Sequence, residues 1–121
     1  MTHLQPADFI RFLNQIYPSP VPFTLSITHK KTEIRGGSYR PSDQHIRIYD
    51  HWGGDDLCKG VAIHEYAHHL HFTMFKRDEN QEFDKVHGKH FWQIYGALIS
   101  IAHIKGLYTS EYLRPLLDKA L

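Results

Sequence analysis

Apolar positions change period several times along this chain, and each change marks an element. Over residues 6–17, Phe9, Phe12, Leu13 and Ile16 recur at helical spacing while Asp8, Arg11, Asn14 and Gln15 take the other side, which predicts a short amphipathic helix. Pro18, Pro20 and Pro22 follow, and three prolines in five residues can neither extend a helix nor pair in a central strand, so they form a stiff connection. The period then drops to two: Phe23, Leu25 and Ile27 alternate with Thr24, Ser26 and Thr28, a half-buried strand over 23–29. A second short strand is expected over 32–35, a turn or bulge at Gly36 and Gly37, a turn at Pro41, Ser42 and Asp43, and a strand over 45–49 with Ile46 and Ile48 on one face. His45, Arg47 and Tyr49 take the opposite face, expected to be solvated, with the border of a cleft as the alternative. The outcome is a small, mostly antiparallel sheet.

Trp52, Gly53 and Gly54 read as a loop, with Asp55 or Asp56 placed to cap the next helix and favour its N-terminus by charge. Along that helix Leu57, Val61, His64, His68, Phe72 and Phe75 form one stripe, and Ile63, Ala67, Leu70 and Met74 an adjoining one. Together they cover about 200° of the circumference, so most of the helix is expected to be buried, with Glu65, His69 and Thr73 towards the polar arc. His69 is expected at the surface and His71 within the buried arc. Residues 76–85, KRDENQEFDK, read as a solvated connection whose acids Glu79, Glu82 and Asp84 are reserve ligands. A second long helix is predicted over 87–104, with His87, His90, Phe91, Ile94, Tyr95, Leu98 and Ile101 in its stripe and Gly106 closing it. Leu113, Leu116, Leu117 and Leu121 predict a last short helix near Pro115, packed on the core or laid over a cleft. The class is α+β: the sheet packs on one helix that carries the chemistry and on a second long one.

The 121 residues are one domain's worth, and 41% hydrophobic content is enough for a core. A formal charge of +1 provides no broad field for nucleic acid or membrane. The N-terminal residues lack the apolar core of a signal peptide, and no run approaches the length of a membrane span. The single cysteine, Cys58, excludes an internal disulfide and a cysteine-rich zinc ribbon, so a cytoplasmic protein is expected. Cys58 points about 120° away from His64 round the helix and reads as a small, partly buried residue.

Chemistry concentrates in His64, Glu65, Tyr66, Ala67 and His68. Two histidines four apart on a helix aim their imidazoles at one point, the geometry that holds a metal ion, with Glu65 on the flank as a proton acceptor for activated water. With eleven His and five Glu in the chain, chance predicts roughly 0.04 copies of H-E-x-x-H. Histidines in an apolar arc must find partners, and a metal supplies one. The second long helix offers His87 and His90 as third ligands, and spacing alone does not separate them.

His64-Glu65-Tyr66-Ala67-His68 followed by His87-Gly88-Lys89-His90-Phe91-Trp92 resembles the SprT-like metallopeptidases and their minimal gluzincin-type relatives, in which H-E-x-x-H precedes an H-G-x-x-F element. Gly37-Ser38-Tyr39 and the run His45 to Asp50 also look like that family's strand before the active-site helix. The resemblance implies one zincin-like domain over 1–121, Zn2+ held by His64, His68 and His87, and Glu65 as general base of peptide-bond hydrolysis. His90 is the rival for His87. A metzincin would need a glycine and a histidine where His71 and Met74 stand. The substrate implied is a protein or peptide, aligned on an edge strand at 45–49, with Tyr39, Tyr95 or His45 stabilising the oxyanion. SprT-type proteases commonly carry a further DNA-binding part, and none follows the core in these residues, so DNA association stays open. The alternative, from another class, is a catalytically silent or latent metal-stabilised binding module, with residues 113–121 as a candidate blocking segment.

Overall fold

The computed structural model describes residues 1–31 and 36–109. The strand expected over 32–35 and the helix expected over 113–121 lie outside the described residues. Helix α1, Pro6–Ile16, forms as the periodicity predicts and buries Phe9, Phe12, Leu13 and Ile16. Pro6 opens it and a capping box joins Gln5 and Asp8, the Asp8 carboxylate accepting the Gln5 backbone N–H at 2.8 Å.

Strands β1 (Thr24–Thr28), β2 (Gly37–Arg40) and β3 (His45–Tyr49) form one sheet in the order β1-β3-β2. β3 runs parallel to β1 and antiparallel to β2, so the sheet is mixed rather than mostly antiparallel. The chain goes from β1 to the far edge and turns back into the middle through Pro41–Gln44, where Arg40 and Asp43 form an ion pair and Gln44 takes φ 49°. The middle position suits β3 because Ile46 and Ile48 are fully buried. It also removes β3 from the role of edge strand. β2 takes that place, and Gly37, expected in a turn, opens it. A Cβ at Gly37 would stand 2.6 Å from Val61 Cγ1, 3.0 Å from the Arg47 carbonyl and 3.1 Å from Glu65 Cγ, so glycine lets this strand lie directly on the helix below.

That helix, α2, spans Asp55–Thr73. Gly54 is its N-cap, not Asp55 or Asp56. Asp55 instead accepts hydrogen bonds from the Thr2 hydroxyl and the His3 backbone N–H, tying the N-terminal residues to α2. Asp50, fully buried in the turn before it, accepts from His29 Nδ1 and the Thr2 backbone. The core face of α2 is Cys58, Ala62, Ile63, Tyr66, Ala67 and Leu70. Leu57, Phe72, Met74 and Phe75, expected inside, are between 39% and 48% exposed. Leu57, Val61, His64, His68 and Phe72 do share one face, but that face lines a cleft.

Helix α3, Lys89–Ile104, starts two residues later than expected and packs Phe91, Ile94, Leu98, Ile99 and Ala102 inward. It ends in a Schellman motif: Gly106, at φ 70°, donates its N–H to the His103 carbonyl and Leu107 to that of Ala102. No helix among the described residues is long and apolar enough to cross a membrane.

Candidate metal centre

α2 and the turn before α3 bring three imidazoles together. His64 and His68 lie one helical turn apart, with ring centroids 5.0 Å from each other. His87 precedes α3, whose N-cap is Gly88; a Cβ there would meet the Phe83 carbonyl and the Lys85 nitrogen, both at 3.1 Å. The tightness of this turn is what presents His87 to α2, and the Trp92 indole N–H pins the His87 carbonyl at 3.0 Å. His87 Nε2 stands 3.1 Å from His68 Nε2 and 3.3 Å from His64 Nε2.

Four ligands placed tetrahedrally about 2.0–2.1 Å from a zinc ion are separated by about 3.3 Å. The two separations from His87 match that spacing and all three ligand atoms lie within 4.8 Å of one another, so the group can hold such an ion, and an all-imidazole donor set suits zinc chemically. Phe91, fully buried, backs all three rings: it stacks on His68 at 4.3 Å and meets His87 and His64 near edge-on at 5.0 and 5.1 Å. Burial, then the neighbouring His87, lowers the pKa of His64. Burial, then His64 and His87, pushes that of His68 down to about 3. Both rings are thus neutral at pH 7, the form in which imidazole binds a metal.

His90 points to a different group. Its Nδ1–H donates to Asp84 Oδ1 at 2.9 Å, His71 Nε2–H donates to the same oxygen, and Asp84 Oδ2 accepts the Asp78 backbone N–H at 2.6 Å. Carboxylates only accept, so these contacts fix which ring nitrogens carry protons. The Asp78 N–H first, then His71 and His90, hold the Asp84 carboxyl well below the usual range. His71, Asp84 and His90 also lie close enough to suit an ion, but their hydrogen bonds already account for the carboxylate. The group is a brace fastening the turn that carries His87 to the end of α2. Asp84 is 4% exposed, which corrects the expectation that all of residues 76–85 are solvated. Nothing local in the sequence marks it as buried, because its two histidine partners stand thirteen residues before and six after.

Glu65 and His69, both assigned to a polar arc, are buried. The reason is that β2 covers this side of α2. His69 Nε2–H donates to the Val21 carbonyl at 2.9 Å, so Nδ1 is an acceptor and the Tyr39 hydroxyl donates to it at 2.8 Å. Burial lowers the pKa of His69, the Val21 carbonyl working against it, and burial followed by Asp43 raises that of Tyr39. Of the three residues suggested for an oxyanion, His45 bonds the Thr24 and Ser26 hydroxyls outside the cleft, and Tyr39 has committed its proton to His69. Tyr95 lines the cleft with its ring 5.7 Å from His64.

The cleft has a volume of about 670 Å³. β2 forms one wall through Gly37, Ser38 and Tyr39; the histidine face of α2, with Glu65, forms the floor; His87, Tyr95, Tyr108 and Arg77 complete it. Compared with known proteins, the chain matches no family model, no curated protein and no solved structure.

Proposed function

We propose that this protein is a zinc-dependent peptidase of the SprT-like, zincin type, with His64, His68 and His87 as metal ligands and Glu65 as general base. The observation that carries the reading is the convergence of the three Nε2 atoms, at 3.1 and 3.3 Å, in a cleft that Glu65 also lines. A zinc ion bound there supplies a Lewis acid that polarises the scissile carbonyl and acidifies water. Glu65, 7% exposed, takes the proton of the attacking water and returns it to the leaving amine. β2, the edge strand beside the cleft, pairs with an extended stretch of substrate backbone. Tyr95 donates to the developing oxyanion.

The glutamate separates catalysis from a metal-stabilised binding module, since a structural site has no need of an acid beside it. Purified Glu65→Gln should retain one equivalent of zinc while cleavage of an unstructured protein falls about a thousandfold. Undiminished cleavage with the metal still bound would refute the mechanism.

A further inference from the structure

After α2 the chain reverses at Lys76, whose φ of 48° lies in the left-handed region that favours glycine. The Arg77 backbone N–H locks the reversal by donating to the His71 carbonyl at 3.1 Å. The strained turn delivers the Arg77 side chain to the cleft wall, near enough to His68 to bear on its charge. Arg77 is the only lysine or arginine among the described residues that line the cleft. Its Nε is buried and has no hydrogen-bond partner among them. Asp84, the buried acid of the same loop, is taken by His71, His90 and the Asp78 backbone.

A buried guanidinium donor without an acceptor is unfavourable, and so is a left-handed lysine. Among the described residues nothing inside the fold satisfies this Nε, while the side chain that carries it lines the cleft, where the rest of its fork can meet a ligand. The partner that matches the guanidinium fork is a carboxylate with its two coplanar oxygens. We propose that Arg77 is a specificity residue that binds a substrate carboxylate, either an acidic side chain or a free C-terminus, beside the bond presented to the three-histidine centre. The proposal rests on the peptidase reading for what the cleft holds, but binding tests it apart from turnover.

Three fluorescent versions of one unstructured peptide serve as probes: neutral with an amidated end, the same with one Gln replaced by Glu, and the same with a free C-terminus. Their affinities are measured by polarisation on zinc-loaded Glu65→Gln, with and without Arg77→Gln, and their cleavage is measured with the wild-type protein. At least one charged peptide should bind about tenfold or more tightly than the neutral one, and Arg77→Gln should remove that ratio without changing zinc content. Which charged peptide gains identifies the source of the carboxylate. Equal affinities for all three on zinc-loaded Glu65→Gln overturn the proposal without recourse to the Arg77 variant, as does a ratio that survives Arg77→Gln. If the wild-type protein cleaves none of the peptides while the Arg77-dependent ratio is present, the peptidase reading falls and Arg77 stands. Cleavage and binding of all three alike has the opposite meaning.

Discussion

At the scale of single residues, the polar groups that matter most are the ones with fully specified partners. Asp84 is the plainest case, since one carboxylate receives two imidazole donors and a backbone N–H. Its folded pKa lies below the unfolded value of about 3.9, so on acidification the unfolded chain takes up the proton first. The contribution of Asp84 to stability is therefore complete well above pH 4 and is lost as pH falls through its lowered folded value. Asp84→Asn should lower the melting temperature at pH 7 by several degrees and flatten the acid limb of the melting profile. An acid limb as steep as that of the wild-type protein would rule out the brace. His69 teaches a related lesson, because a histidine one position along from His68 reads as a surface residue from helical phase alone. Its actual partners, Tyr39 and Val21, lie 30 and 48 residues away in sequence.

Among the elements, the contact between β2 and α2 sets the width of the cleft. Gly37→Ala should cost about 1–3 kcal/mol in stability and reduce cleavage with it, because the added carbon meets strand backbone and Val61 rather than a movable tip. Gly60 is the control: its added carbon meets only the tip of the Tyr108 side chain, the hydroxyl at 2.7 Å and Cζ at 3.5 Å, and alanine there should be tolerated better. Comparable losses in both variants, read by thermal melting, would remove the special role of Gly37. The elements themselves were largely legible. The 3.6 and 2 periods located α1, α2, α3, β1 and β3 because each has a regular apolar face. β2 was not legible in this way, since Gly37, Ser38, Tyr39 and Arg40 show no apolar alternation, and its place follows from the hairpin with β3. The stripe Leu57, Val61, His64, His68 and Phe72 was legible as a face but not as a cleft floor. An apolar side chain reads the same in a sequence whether it meets the core or a ligand cavity.

On the scale of the whole molecule, the three-histidine centre joins α2 to the turn that leads into α3. A ligand that binds only the folded state stabilises it by mass action, by about 4 kcal/mol at a thousand times its dissociation constant. Stripping the protein with a chelator should thus lower its melting temperature, and added zinc should restore it; in His87→Ala the two curves should coincide. A wild-type protein whose melting ignores both chelator and zinc would count against any ion at this site. Two of the donors are fixed to each other by one helix, and the third arrives on a separate segment held by Asp84. A chelate built on these three side chains would have one detachable arm. The residence time of its guest would then be governed by how often that arm swings away, so the half-life of a bound ion would measure the stiffness of a short turn more than the basicity of any imidazole.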